Sequence, residues 1–221
     1  MTNSANSEPP ISIEAARRLY EGGGGGHDFD HVLRVLNLAL RIGRAEGANL
    51  AVVQAAALLH DVGESRDRDA HHLLGAQMAR ELLSDRPAGF VEAVAHAIAA
   101  HRFRADPAPQ TLEAQVISDA DKLDSIGAIG IGRAFAYAGA HGSALWREPW
   151  RVIAEGAPDD AAQSGPAALG EGYTPVHEFV YKLNRIPQRL YTEAARTIAA
   201  ERQAFMQEFF DRLDMEAMGD E

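Results

Sequence analysis

The sequence predicts an all-α fold. Apolar residues recur three or four positions apart through most of the chain after Asp30, and no stretch alternates polar and apolar residues for the length of a strand. At 221 residues the chain suits one domain with a substantial core, taken here as residues 11–221.

Residues 1–10, MTNSANSEPP, are small, polar and proline-containing, which predicts a disordered tail. A short helix is expected around Ile11 to Tyr20, and the five glycines Gly22 to Gly26 then forbid a stable helix through their backbone entropy. From Asp30 onward Val35, Leu38 and Ile42 form one stripe, and Leu50, Val53 and Ala57 form another. Further helices are expected at 71–84, 88–102, 111–136 and 189–213. Between Gly139 and Pro175 the composition shifts to Gly, Pro, Ala and Asp, with Trp146 and Trp150 near its start, and so long a segment without its own period reads as a loop or lid. The stripe Ala195, Ile198, Phe205 and Phe209 reads as core or partner packing, compatible with a homodimer.

With 21 basic and 32 acidic side chains the formal charge is −11, which works against duplex nucleic acid as a partner. A phosphate-bearing substrate must then meet local positive charge, from a metal or from a few Arg and Lys. The absence of cysteine excludes a disulfide framework and a thiolate metal site. The start of the chain has neither the basic residues nor the apolar run of a secretory signal, and no later run is long enough to span a bilayer, so a cytoplasmic protein without membrane contact is expected.

Histidines carry the candidate chemistry. His31 precedes Val35, Leu38 and Ile42 by four, seven and eleven residues, and His60 follows Leu50, Val53 and Ala57 by ten, seven and three, so both face the core. His72 leads Ala76, Ala79 and Leu83 in the same register, and His101 trails Val91, Val94 and Ile98. A lone His on an apolar face is ordinarily a hydrogen-bonded core residue. Four in register are harder to explain that way, because each buried ring needs partners for two nitrogens, and a metal would satisfy several at once. Asp61 beside His60 adds a carboxylate about 100° round the helix.

The context of that pair, GHDFDHVLRV upstream, LLHDVGE around it and ISDADKLDSIGAIG some sixty residues later, resembles the HD-domain phosphohydrolases. HDFDHVLRV, DADKLDSIGAIG and the C-terminal HEFVYKL and TEAARTIAAERQAFMQEF are similar to a bacterial subfamily of small nucleotide-directed members. The resemblance implies an HD-domain helical bundle with its metal site in the core. It puts the metal ligands on His31, on His60 and Asp61, and on one of Asp119 and Asp121. Positions two apart on a helix diverge by about 200°, so only one of these aspartates can face the ion. Asp121 is chosen because Lys122 and Leu123 follow it, as in shorter members of the family.

The resemblance further implies one divalent metal per chain (Mn, Mg, Co, Ni, Fe or Zn) and hydrolysis of a phosphoester or phosphoanhydride in a small nucleotide-like substrate by metal-activated water. Glu64, three residues after Asp61, resembles the carboxylate that some members use to position water, against its alternative as a solvated surface residue. Arg34, Lys122 and Lys182 are candidate substrate cations, each equally readable as a structural ion pair. His72 and His101 are read as ligands of a second metal or as donors to phosphate, with a mononuclear site preferred. Asp69 reads as an exposed loop residue, His27 as lying at the mouth of the site, and His71, His96, His141 and His177 as structural or exposed. Two rivals remain: a di-iron oxygenase on the same fold, and a nucleotide-sensing module without turnover.

Overall fold

The computed structural model describes residues 9–21, 29–102, 106–157 and 172–220. Among these residues there are ten α-helices and no strand. The glycine run, His27 and most of the expected N-terminal tail lie outside them, as do residues 158–171. Packing divides the chain into two compact units, Met1–Asp121 and Lys122–Glu221.

In the first unit Ser12 opens α1 (Ile13–Tyr20) by accepting from the Ala15 N–H at 3.1 Å. The long α2 (Phe29–Glu46) buries Val32, Val35, Leu36, Ala39 and Ile42. Asn49 caps α3 (Leu50–Leu59), its Oδ1 accepting from the N–H groups of Ala51 and Val52 at 3.1 and 3.4 Å. Seven of the ten residues of α3 are buried, so this helix is apolar nearly all round and sits at the centre of its unit. α1, α2 and α5 (Ala88–Ala99) all pack on it, and α4 (His71–Leu82) packs on α5. α6 (Leu112–Asp124) begins at Thr111, whose Oγ1 accepts from the Ala114 N–H at 3.2 Å, and runs across the division between the units.

The single helix expected over 111–136 is two, α6 and α7 (Gly127–Ala140). Ser125 Oγ turns back to the Lys122 carbonyl at 2.6 Å, and Gly127 takes φ +77°, a conformation costly for any side-chain-bearing residue. The buried series Leu123, Ile126, Gly130, Ala134 keeps helical spacing across the break, so periodicity alone conceals it.

The second unit continues with α8 (Trp150–Glu155), α9 (Pro175–Tyr181), a 3-10 turn (Leu183–Arg189) and α10 (Glu193–Met218). Phe179 and Phe210 stack with centroids 4.3 Å apart at its centre, and Trp150 stands edge-on to Phe179 at 5.4 Å. The two tryptophans tie the start of the 139–175 segment to α10. Trp146 Nε1 and the Trp150 backbone N–H donate to the buried Asp214 at 2.7 and 3.0 Å, and Trp150 Nε1 donates to Asp211 at 2.8 Å. Asp214→Ala strands two donors, one of them on a backbone that is buried. It is expected to cost about 3 kcal/mol and to lower the midpoint of urea unfolding.

No helix among the described residues is long and apolar enough to cross a membrane.

Candidate metal centre

Five segments of the first unit deliver imidazoles and carboxylates to one place. His31 comes from the first turn of α2, His60 and Asp61 from the C-terminal end of α3, and His71 from the N-terminus of α4. His101 follows α5, and Asp121 lies on α6. The turn between α3 and α4 is fixed locally: Asp67 Oδ1 accepts from the N–H groups of Asp69 and Ala70 at 2.8 and 3.0 Å, and Arg102 bonds to the Asp69 carbonyl.

Two groups of ligand atoms result, His31–His60–Asp121 and Asp61–His71–His101. Asp61 stands between them. Its Oδ2 lies 3.5 Å from His31 Nε2 and 3.3 Å from His60 Nε2, while its Oδ1 lies 3.5 Å from both His71 Nε2 and His101 Nε2. Asp121 Oδ1 is 3.5 Å from His31 Nε2. His60 and His101 are buried, and Asp61 nearly so.

The hydrogen bonds on the far side of these rings decide what the near side offers. The Nδ1 atoms of His60, His71 and His101 contact the carbonyls of Ala57, Arg68 and Ile98 at 2.8, 2.8 and 2.6 Å. A carbonyl can only accept, so each Nδ1 carries the hydrogen and each neutral ring turns an Nε2 lone pair inward. His71 Nε2 and His101 Nε2 then face each other at 3.3 Å lone pair to lone pair, and His60 Nε2 meets His31 Nε2 at the same distance. Such pairs need a cation between or beside them, either a proton or a metal, and the donor set of imidazole nitrogens with carboxylate oxygens fits a hard or borderline divalent ion.

Electrostatics agree with that reading. Burial opposes a charged ring at His101, yet the hydrogen bond and charge of Asp61, with Asp121 behind it, hold its pKa above the usual histidine value. Burial likewise opposes ionisation of Asp121, but the hydrogen bond from His31 and the rings of His101, His60 and His31 keep its pKa below the usual carboxylate value. The centre therefore favours a carboxylate surrounded by positive charge.

Asp121 is the aspartate of the pair that joins a ligand group, while Asp119 is fully buried and belongs to neither. Glu64 is not a solvated residue: its side chain is 13% exposed and its Oε2 is buried. Arg34 is half-buried one turn after His31. Lys122 is buried with its ammonium 5.1 Å above the Tyr191 ring, and Lys182 pairs with Glu178 at 2.9 Å. Asp69 is an exposed loop residue paired with Arg102 at 3.4 Å.

His72 is buried on the inward face of α4 with Ala76 and Ala79, as its register requires, but it joins neither ligand group. Burial, then the neighbouring rings of His101 and His71, lower its pKa. The ring that joins the second group is His71, which sequence reasoning leaves as structural or exposed. The first residue of a helix projects from the end of the cylinder, so facial register does not report where it points.

Comparison with known proteins supplies the family. A family model described as the HD domain matches residues 28–126. The uncharacterised protein YpgQ of Bacillus subtilis is 32% identical over 206 residues, covering 88% of this chain and 86% of that one. The chain belongs to the HD-domain family. The crystal structure of Bacillus subtilis YpgQ in complex with ADP matches this HD-domain chain with a TM-score of 0.67 at 30% identity, covering 92% of this chain and 94% of that one. An HD-superfamily hydrolase from Bacillus thuringiensis matches with a TM-score of 0.70 at 28% identity, over 92% of this chain and 93% of that one. Ribonuclease Y of Chloroflexus aurantiacus is 37% identical over 124 residues, which are 55% of this chain but 23% of that protein. The HD-domain hydrolase fold is thus shared along nearly the whole chain with small bacterial proteins, and over about half of it with a much longer nuclease.

Proposed function

We propose that this HD-domain protein hydrolyses a phosphoester or phosphoanhydride bond in a small nucleotide, using a divalent metal held by His31, His60, Asp61 and Asp121. The observation that carries the reading is the set of inward imidazole nitrogens around Asp61, paired at 3.3 Å with hydrogens fixed on the far side of three of the four rings. When bound, such an ion supplies a Lewis acid for a phosphoryl oxygen and a water acidic enough to attack near neutral pH. The chain's own groups supply the rest. Glu64 orients the attacking water and accepts its proton at a carboxylate oxygen. Arg34 offers a guanidinium to phosphate oxygens beside His31, and His72 is a further candidate for substrate contact.

The nucleotide part of the reading is supported by the YpgQ structure with ADP. The net charge of −11 favours a compact anion met by local positive charge over a polyanion. The test is a panel of nucleoside mono-, di- and triphosphates with Mn²⁺, Co²⁺ or Mg²⁺, read by release of phosphate or pyrophosphate. Metal-dependent release is expected from at least one of them, and no release with any metal would overturn hydrolysis; nucleotide binding without release would point to a sensing module. Glu64→Gln is expected to retain the metal and slow hydrolysis about 100-fold, a loss in the range of a positioned general base. Unchanged turnover would remove Glu64 from that role.

A second reading of the metal count is favoured by the group Asp61–His71–His101, whose facing lone pairs and carboxylate would hold a second ion. Metal analysis of the purified chain separates one ion from two. Two irons with oxygen-dependent turnover would instead favour the oxygenase chemistry that this fold also hosts.

A further inference from the structure

We infer that Tyr20 is a positioning residue of the metal centre, its hydroxyl clamping the end of α3 at Leu58 and Asp61 and so setting where the His60–Asp61 pair stands against His31. The inference rests on the metal-binding reading above.

The argument begins with the way α3 ends. The last carbonyls of a helix lose their partners, and in a helix that continued, Leu58 would receive the N–H of Val62. Here the Val62 N–H turns to the Leu59 carbonyl at 3.2 Å, and the Ala57 carbonyl is taken by His60 Nδ1 at 2.8 Å. The Leu58 carbonyl is capped from another element: Tyr20 Oη, at the end of α1, donates to it at 3.1 Å across 38 residues of chain. The backbone of Asp61 directs a hydrogen bond at the same hydroxyl oxygen. One phenol therefore bridges Leu58, two residues before His60, and Asp61, the residue after it, and satisfies a carbonyl and an N–H that the tightened helix end releases.

The same side chain reaches the other ligand-bearing end. Its ring meets Phe29 edge-on with centroids 5.5 Å apart, and Phe29 stands two residues before His31 at the start of α2. The guanidinium of Arg17, one turn earlier on α1, lies 4.4 Å above the Phe29 ring. α1 is thereby fastened to the start of α2 by packing and to the end of α3 by hydrogen bonds.

The test compares Mn²⁺ affinity, by titration calorimetry, in the wild-type chain, Tyr20→Phe and Phe29→Leu. Tyr20→Phe removes one oxygen and both hydrogen bonds, and is expected to weaken Mn²⁺ binding about 10-fold or more, as loss of an outer-sphere support does. Its helix content should be unchanged. Phe29→Leu leaves the hydroxyl in place and is expected to weaken binding by a clearly smaller factor. A wild-type chain that binds no Mn²⁺ would overturn the metal reading and the clamp together. Wild-type affinity in Tyr20→Phe would overturn the clamp alone, and so would an equal loss in both variants, since packing rather than the hydroxyl would then be responsible. Should Tyr20→Phe fail to fold, amide exchange in the metal-free wild type decides the matter: slow exchange at Asp61 is expected, and exchange as fast as in an open turn would overturn the clamp.

Discussion

Asp61→Ala is expected to strip the metal from the centre and to abolish turnover, with metal affinity falling by more than the roughly 10- to 100-fold that loss of an outer-sphere group causes. Metal content after dialysis and phosphate release on the substrate panel are the two measurements. The reason lies in its position. One carboxylate oxygen faces His31 and His60, the other faces His71 and His101, and the contacts lie between 3.3 and 3.5 Å. Asp61 belongs to the group with His71 and His101, and its other oxygen also lies within 3.5 Å of the His31 and His60 rings of the first group.

The electrostatic balance makes the same point. Asp61 is the hydrogen-bonding and charge partner that holds the His101 pKa up against burial. Without that carboxylate, Asp121 is the one acid left in the two ligand groups among the described residues to offset positive charge on four inward rings. Neither a cation nor a proton is then well held. A variant that kept both metal and activity would remove Asp61 from the centre of the scheme and leave the four imidazoles without a functional explanation.

Much of the fold was legible in the sequence, and the reasons are local. The stripe Val35, Leu38 and Ile42 is buried on α2, because a helix on one side of a core must repeat its apolar residues at its own pitch. The convergence of His31 and His60 follows from the same register, since a side chain in phase with a buried stripe points where the stripe points. What the register could not convey is what happens at helix ends. His71 opens α4 and reaches the centre from the tip of the helix, while its in-phase neighbour His72 stays buried within the helix face. Glu64 lies in the turn after α3, where its spacing from Asp61 gave a direction but not its burial. Tyr20 had no sequence signal at all, because its partner is the Leu58 carbonyl, and backbone groups look alike at every position. The break between α6 and α7 was hidden for a related reason: the apolar spacing carries on through a turn that only the Gly127 backbone betrays.

Gly63→Ala is expected to be strongly damaging although it removes no functional group. Gly63 is buried two residues after Asp61, at the point where the turn leaving α3 passes α4. A β-carbon there would sit 2.5 Å from the His71 carbonyl oxygen and 2.8 Å from the Gly75 nitrogen. Both are backbone atoms of α4, so no side chain can rotate out of the way. The helix must recede by roughly 1 Å to restore ordinary contact, and overpacking of this kind costs about 1–3 kcal/mol or more. α4 cannot recede freely, because it is also packed on α5, where a β-carbon at Gly75 would meet Ile98 at 3.2 Å. His71 is the first residue of α4 and moves with it, away from Asp61 and His101. Gly63→Ala should therefore lower the midpoint of urea unfolding and also weaken whatever binding depends on the His71 and His101 pair, while His31, His60 and Asp121, carried by α2, the end of α3 and α6, keep their mutual distances. Wild-type stability together with wild-type metal affinity would show that α4 can withdraw without cost, and that the close approach at Gly63 does not set the spacing of the centre.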